Sequence, residues 1–193
     1  MQAAEHGPIP RVTLLVGLPG VGKTTLAHAL MARGGGNILS RDVIRDGIFP
    51  EPFLDYSQQQ NNIATETLFS VLAYLLDVHR PRRLIIDGKP FSKAAEVHAL
   101  RDLVDRHGGQ IDVILCRAPL SEVKRRLIEG LADPVNVRAE RTPDKAERIH
   151  QEFEPLDVSH LPLDMTRPLD ELVDTVIDHW NTSGADQPKG GTP

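Results

Sequence analysis

Gly17-Leu18-Pro19-Gly20-Val21-Gly22-Lys23-Thr24 is a G-x-x-x-x-G-K-T stretch, set between the apolar run of Val12, Leu14, Leu15 and Val16 and a segment in which Leu26, Ala27, Ala29, Leu30 and Met31 recur at helical spacing. Backbone N–H groups can wrap around phosphate oxygens only where the chain approaches without a Cβ in the way, and glycine permits that approach. Lys23 supplies a mobile positive charge for the β and γ phosphates, and the Thr24 hydroxyl is placed to ligate a bridging Mg²⁺. The helix that starts here adds the positive end of its dipole at the same point. At a glycine usage of about 7%, the four fixed positions recur by chance in roughly one chain in a hundred of this length. The strand-loop-helix context therefore makes Gly17, Pro19, Gly20, Val21, Gly22, Lys23, Thr24 and Thr25 the candidate nucleotide-binding set, for ATP or GTP with Mg²⁺.

A chain of 193 residues suits one α/β domain, expected over 9–182, with flexible tails expected at 1–8 and at 183–193, the latter rich in Gly, Pro and small polar residues. Its net charge of −5 and the absence of a long basic block count against a polyanion as the main partner. Cys116 is the only cysteine, which excludes an intramolecular disulfide and a cysteine-cluster metal site, and its apolar run makes it a buried residue. The eight histidines show no paired metal-ligand spacing. No hydrophobic leader precedes Arg11 and no apolar segment approaches about 18 residues, so a cytoplasmic protein without a membrane partner is expected.

Short apolar runs alternate with long helical patterns, the signature of crossover units around a parallel sheet. Strands are expected at 12–16, 37–39, 84–87, 111–116 and 161–165, and helices at 23–31, 41–49, 58–79, 93–107, 120–130, 143–153 and 169–181. The helix at 58–79 carries Ile63, Leu68, Leu72, Leu75 and Leu76 for packing on the sheet. The stretch 129–141, with Gly130, Asp133, Pro134 and several charges, breaks the pattern and reads as a lid.

The second strand runs into Ser40-Arg41-Asp42-Val43-Ile44-Arg45. In an open α/β sheet, strand ends beside the phosphate loop face the ligand crevice. Asp42 is positioned there to accept a proton from an acceptor hydroxyl, and Arg45, three residues on, shares its helical face. Asp42 also fits a plain helix cap.

The phosphate loop followed by Ser40-Arg41-Asp42-x-x-Arg45 resembles the kinase domain of phage-type polynucleotide 5′-kinases and related small bacterial P-loop kinases, ATP-binding proteins of the AAA type. That resemblance implies a P-loop NTPase fold: a three-layer α/β/α arrangement, a parallel sheet of about five strands in the order 2-3-1-4-5, and a small lid. It assigns the general base to Asp42 and contact with the reacting phosphate to Arg45. Leu84-Ile85-Ile86-Asp87-Gly88-Lys89-Pro90-Phe91-Ser92 resembles the third-strand segment of the same set, which puts Asp87 near Mg²⁺ or the acceptor, or makes it a strand-end cap. Lys89 and Ser92 become acceptor contacts or parts of a solvated loop.

The family's lid arginine falls on Lys124-Arg125-Arg126-Leu127, with Arg126 favoured because an apolar residue follows it. A second arginine common four positions on is replaced here by Glu129 and Gly130, leaving Arg138 or Arg141 as substitutes. Asp164-Met165-Thr166-Arg167-Pro168 corresponds to the segment bordering adenine, which assigns Arg167 and Pro168 to the nucleotide. Tyr56, Gln59 and Asn62 are acceptor contacts by location.

The leading expectation is a kinase that phosphorylates a hydroxyl of a small molecule. A polynucleotide 5′-kinase shares every catalytic residue, although few aromatics and negative charge disfavour a nucleic-acid groove. A nucleotide-dependent switch or assembly ATPase is the third reading. Nothing in the sequence encodes an oligomeric state.

Overall fold

A strand buried on both faces must be apolar along its length, and β1 (Arg11–Val16) is buried from Val12 to Val16. The computed structural model describes residues 9–131 and 141–183. In it, β1 occupies the middle of a five-stranded sheet ordered β2-β3-β1-β4-β5, with β2 (Asn37–Ser40), β3 (Arg83–Asp87), β4 (Gln110–Arg117) and β5 (Leu161–Asp164). Every neighbouring pair is parallel. The expected strand order is the observed one.

Alternation along β1 divides the core. Leu15 faces α1 (Lys23–Gly34), α5 (Leu120–Leu131), α6 (Pro143–Gln151) and α7 (Leu169–Ser183), packing with Leu26, Val123, Ala146 and Val176. Leu14 and Val16 face α3 (Gln58–Tyr74) and α4 (Ala94–Arg106), packing with Leu68, Leu72, Leu100 and Val104. The result is a three-layer α/β/α fold. The remaining helix, α2 (Arg41–Ile48), follows β2 without an intervening residue.

Several elements depart from the sequence reading. The expected helix at 58–79 is α-helical only to Tyr74; Leu75–His79 widens into a π-helical turn closed by the Arg80 N–H donating to the Leu75 carbonyl at 2.9 Å. Pro81 lacks the N–H needed to continue the helix. The buried stripe of α3 is Ala64, Leu68 and Leu72, continued by Leu76 in the π-helical turn, so Ile63, one position out of phase, is exposed. Met31 on α1 is exposed as well. A short 3₁₀ turn at Glu51–Phe53 was not legible.

At the foot of the sheet, α7 runs two residues beyond its expected end. Arg11 accounts for this by donating to the carbonyls of Trp180 at 3.3 Å and Ser183 at 2.9 Å, a cation at a helix C-terminus. The expected tail 1–8, residues 184–193 and most of the expected lid, 132–140 with Arg138, lie outside the described residues.

Candidate active site

The loop from Gly17 to Gly22 leaves β1 and turns directly into α1. At Gly17 the chain passes so close to β4 that a Cβ would lie 2.5 Å from the Cys116 carbonyl oxygen, while its N–H donates to the Pro90 carbonyl at 3.0 Å. Lys23 is buried and folds back on the loop, its Nζ donating to the carbonyls of Gly17 at 2.8 Å and Leu18 at 2.9 Å. Burial lowers its pKa, with the Asp87 carboxylate as the chief opposing influence.

Asp87 ends β3, and the sheet register sets it directly beside Ser40 at the end of β2. The Thr24 hydroxyl donates to Asp87 Oδ2 at 2.8 Å, while the buried Oδ1 has no hydrogen-bond partner among the described residues. A hydroxyl beside an orphaned carboxylate oxygen fits a divalent cation that retains part of its water shell.

Ser40 caps α2: its Oγ accepts from the Val43 N–H at 3.5 Å. Asp42 is therefore not the N-cap, and its carboxylate points into a cluster of guanidinium groups. Arg41 reaches Oδ1 with Nη2 at 2.6 Å and Nε at 3.2 Å, Arg141 reaches Oδ2 at 2.9 Å, and Arg45 Nη1 lies 3.5 Å from Oδ1. Burial pushes the Asp42 carboxyl up, but Arg41 and Arg141 outweigh it and hold the pKa below the usual carboxylate value.

These groups share one cleft of about 360 Å³. Pro19, Gly20, Lys23 and Thr24 of the loop and α1 line it together with Asp42 and Asp87. Arg41, Lys89, Ser92 and Arg141 line it as well, Lys89 being paired with Glu96 at 2.8 Å.

Arg45 sits elsewhere. It is fully buried beneath Asp42, held by Asn61 Oδ1 at 3.0 Å, by Asp46 at 3.0 Å and by the Tyr56 ring at 4.5 Å from its centroid. Tyr56, in the left-handed region at φ 55°, serves that packing and is not part of the cleft wall. Gln59 and Asn62 are exposed; Gln58 and Asn61, three apart on α3, line the cleft.

Arg126 packs against the outside of the loop, donating to the Val21 carbonyl at 3.0 Å and the Met165 carbonyl at 2.9 Å, with Glu122 on its Nε. It thereby ties the loop to the turn after β5. Arg125 is exposed and paired with Glu122 and Glu129. Beyond Met165, Arg167 pairs with Glu171 at 2.9 Å, and the Pro168 carbonyl accepts from the Leu172 N–H at the start of α7.

The sequence reading did not single out Arg41, Gln58, Lys145 or Ile149, which also line the cleft, and it left Arg141 as one of two guesses. A signal existed for part of this wall: Arg141, Lys145 and Ile149 are four apart, the spacing of one helical face.

Gly88 connects the two strand ends. At φ 90°, a Cβ here would lie 2.7 Å from the Asp42 backbone nitrogen and 3.0 Å from Ser40 Oγ. Gly88→Ala should therefore push the start of α2 away from β3, costing about 1–3 kcal/mol of stability. The expected signature is a lowered melting temperature together with a lower kcat, although residue 88 carries no reacting group. Wild-type kcat in a folded variant would contradict this reading.

Three comparisons with known proteins bear on the site. A family model described as an AAA domain matches residues 12–156. No curated protein matches the sequence. Similar solved structures include a candidate kinase from Chloroflexus aurantiacus J-10-fl (20% identity, TM-score 0.69, covering 89% of this chain and 99% of that one). The APS kinase CysC of Mycobacterium tuberculosis, bound to AMPPNP and APS, aligns at 21% identity and TM-score 0.65, covering 90% and 99%. A gluconokinase of Sinorhizobium meliloti 1021 aligns at 14% identity and TM-score 0.65, covering 93% and 99%. At these identities the shared property is the fold.

Proposed function

The chain belongs to the AAA domain family, and from that premise and the geometry of its cleft we propose that it is a kinase transferring the γ-phosphoryl group of ATP, or of GTP, to a hydroxyl of a small molecule. One observation carries the reading: a carboxylate, Asp42, shares a cleft with the phosphate loop and is surrounded by guanidinium groups. The names of the similar structures, APS kinase and gluconokinase, support that reading.

In this proposal the loop amides and Lys23 hold the β and γ phosphates, the lysine exchanging its two carbonyl partners for phosphate oxygens. Thr24 and Asp87 hold Mg²⁺, which neutralises charge on those phosphates. Asp42 accepts the hydroxyl proton. Its lowered pKa makes it a weak base, which suits a loose transition state in which orientation and charge stabilisation outweigh proton abstraction.

Arg41 and Arg141 face the transferring group, Arg45 holds Asp42 from below, and Arg126 fixes the loop on the side where Arg167 and Pro168 border the base. Lys89 and Ser92 contact the acceptor, with Tyr56 acting through Arg45. The catalytic unit spans 9–182.

The test is product analysis by mass spectrometry after incubation with Mg·ATP and a panel of hydroxylated metabolites, nucleosides and 5′-hydroxyl oligonucleotides. One added phosphoryl group on a small-molecule class is expected. Transfer to the oligonucleotides would assign a polynucleotide 5′-kinase, and hydrolysis indifferent to every acceptor would assign a switch ATPase. Lys23→Gln should lower the acceptor-dependent initial rate by about 10²- to 10³-fold, the usual cost of removing one preorganised charge at a transition state.

A further inference from the structure

Resting on the nucleotide-binding half of the kinase reading, we propose that Arg126 is a positioning residue: by holding the Val21 carbonyl outside the cleft, it turns the Gly22 N–H inward toward the phosphates. Val21 and Gly22 share one peptide unit. No cis peptide bond occurs among the described residues, so the carbonyl and the N–H of that unit point in opposite directions. Gly22 lines the cleft, whereas Val21 and Arg126 do not. A cation bonded to the carbonyl from behind therefore aims the amide hydrogen at the concavity where phosphate oxygens belong.

Local sterics leave this orientation open. Flipping a peptide changes ψ of the residue before it and φ of the residue after it, and glycine accepts either sign of φ. Gly22 stands at φ 111°, and its own side has no side-chain cap for the helix that it opens. The direction of its N–H is then set by whatever engages the carbonyl. Arg126 does so through Nη1 at 3.0 Å.

Two further acceptors fix the guanidinium in its turn. Nη2 donates to the Met165 carbonyl at 2.9 Å and Nε to Glu122 Oε1 at 2.7 Å, so one planar fork joins α5, the loop and the turn after β5. Hydrogen bonds from Arg125 and Arg126 push the Glu122 carboxyl down to about 2, which keeps the anion behind the fork ionised at any ordinary pH. Met165 completes the clamp with its side chain: a Cβ on Gly22 would lie 3.2 Å from its Cε. Two other roles for the same guanidinium have different consequences. Stacking on the base would act on nucleotides alone, and direct contact with a phosphate would leave the nucleotide-free loop unchanged.

The first arm of the test is calorimetric titration of Mg·AMPPNP, and of Mg·tripolyphosphate, which has the phosphates without the base, into wild type and Arg126→Met. Both ligands are expected to weaken by a similar factor of about tenfold or more, the loss of one charge-assisted hydrogen bond. Arg126→Lys keeps a single donor group and should fall between the two proteins; it carries the test if melting curves show that Arg126→Met does not fold. A loss confined to AMPPNP, or no loss with either ligand, overturns the proposal and leaves the nucleotide reading standing. A wild type that binds neither ligand overturns the nucleotide reading, and this proposal with it.

The second arm needs no ligand. Amide relaxation dispersion on the free protein should show microsecond-to-millisecond exchange at Gly22 and Lys23 of the Arg126 variant that wild type lacks, with Leu100 and Val104 in α4 flat in both. Flat loop amides in a variant that binds phosphates weakly would assign a direct phosphate contact and overturn the proposal. Exchange spread equally through α4 would mark general loosening and overturn it too.

Discussion

Asp42→Asn is expected to lower kcat by about 10²- to 10⁴-fold, the range associated with loss of a positioned base, while leaving Mg·ATP affinity unchanged. In the proposed mechanism Lys23, Thr24 and Asp87 hold the nucleotide and its cation, and their hydrogen bonds run to the loop carbonyls and to one another. The amide keeps the shape of the carboxylate but accepts no proton. Single-turnover rates with saturating ATP would isolate the step, and wild-type turnover would remove Asp42 from the mechanism.

The pH dependence is a separate check. Because the folded-state pKa of Asp42 is depressed, its stabilising contribution is fully present above the ordinary value of 3.8 and is lost as pH falls through the lower folded value. Its ionised form therefore persists across neutral and mildly acidic pH. An acidic limb in kcat above pH 3.8 must then come from another group.

Arg45→Met is the second large effect, and it should appear first as instability. The guanidinium is completely buried, and its removal takes a buried cation away from both Asp42 and Asp46, the situation in which breaking a buried charge pair costs about 3–5 kcal/mol. Denaturant midpoints would report it. Arg45→Lys should not restore full stability, since an ammonium cannot both stack flat on the Tyr56 ring and reach Asn61 and Asp46 with a fork of donors. A stable Arg45→Met with only kcat reduced would instead return Arg45 to direct contact with the phosphoryl group.

The contrast between these two residues marks what could be read from the sequence. Lys23, Thr24, Asp42 and Asp87 were legible because each is fixed by a local rule: a loop spacing, or a strand end beside that loop. The strand order was implied by the family resemblance and is the one observed. The fate of Arg45 was not legible, since being on the face of Asp42 does not say which side of that face meets α3. Gln58 and Asn61 were missed by one residue, Gln59 and Asn62 having been named in their place. The Asp42–Arg141 pair joins residues 99 apart in sequence, through contacts that no local pattern encodes.

Cys116, behind the phosphate loop, has a practical consequence. Burial pushes its thiol up to about 12, and it is the chain's only cysteine. A thiol that is neither ionised nor reachable is silent toward maleimides and other alkylating probes at neutral pH. A cysteine introduced anywhere on the surface could be tagged singly without first removing the native one, which opens the cleft rim to fluorescent or spin-label distance work on an otherwise unaltered protein.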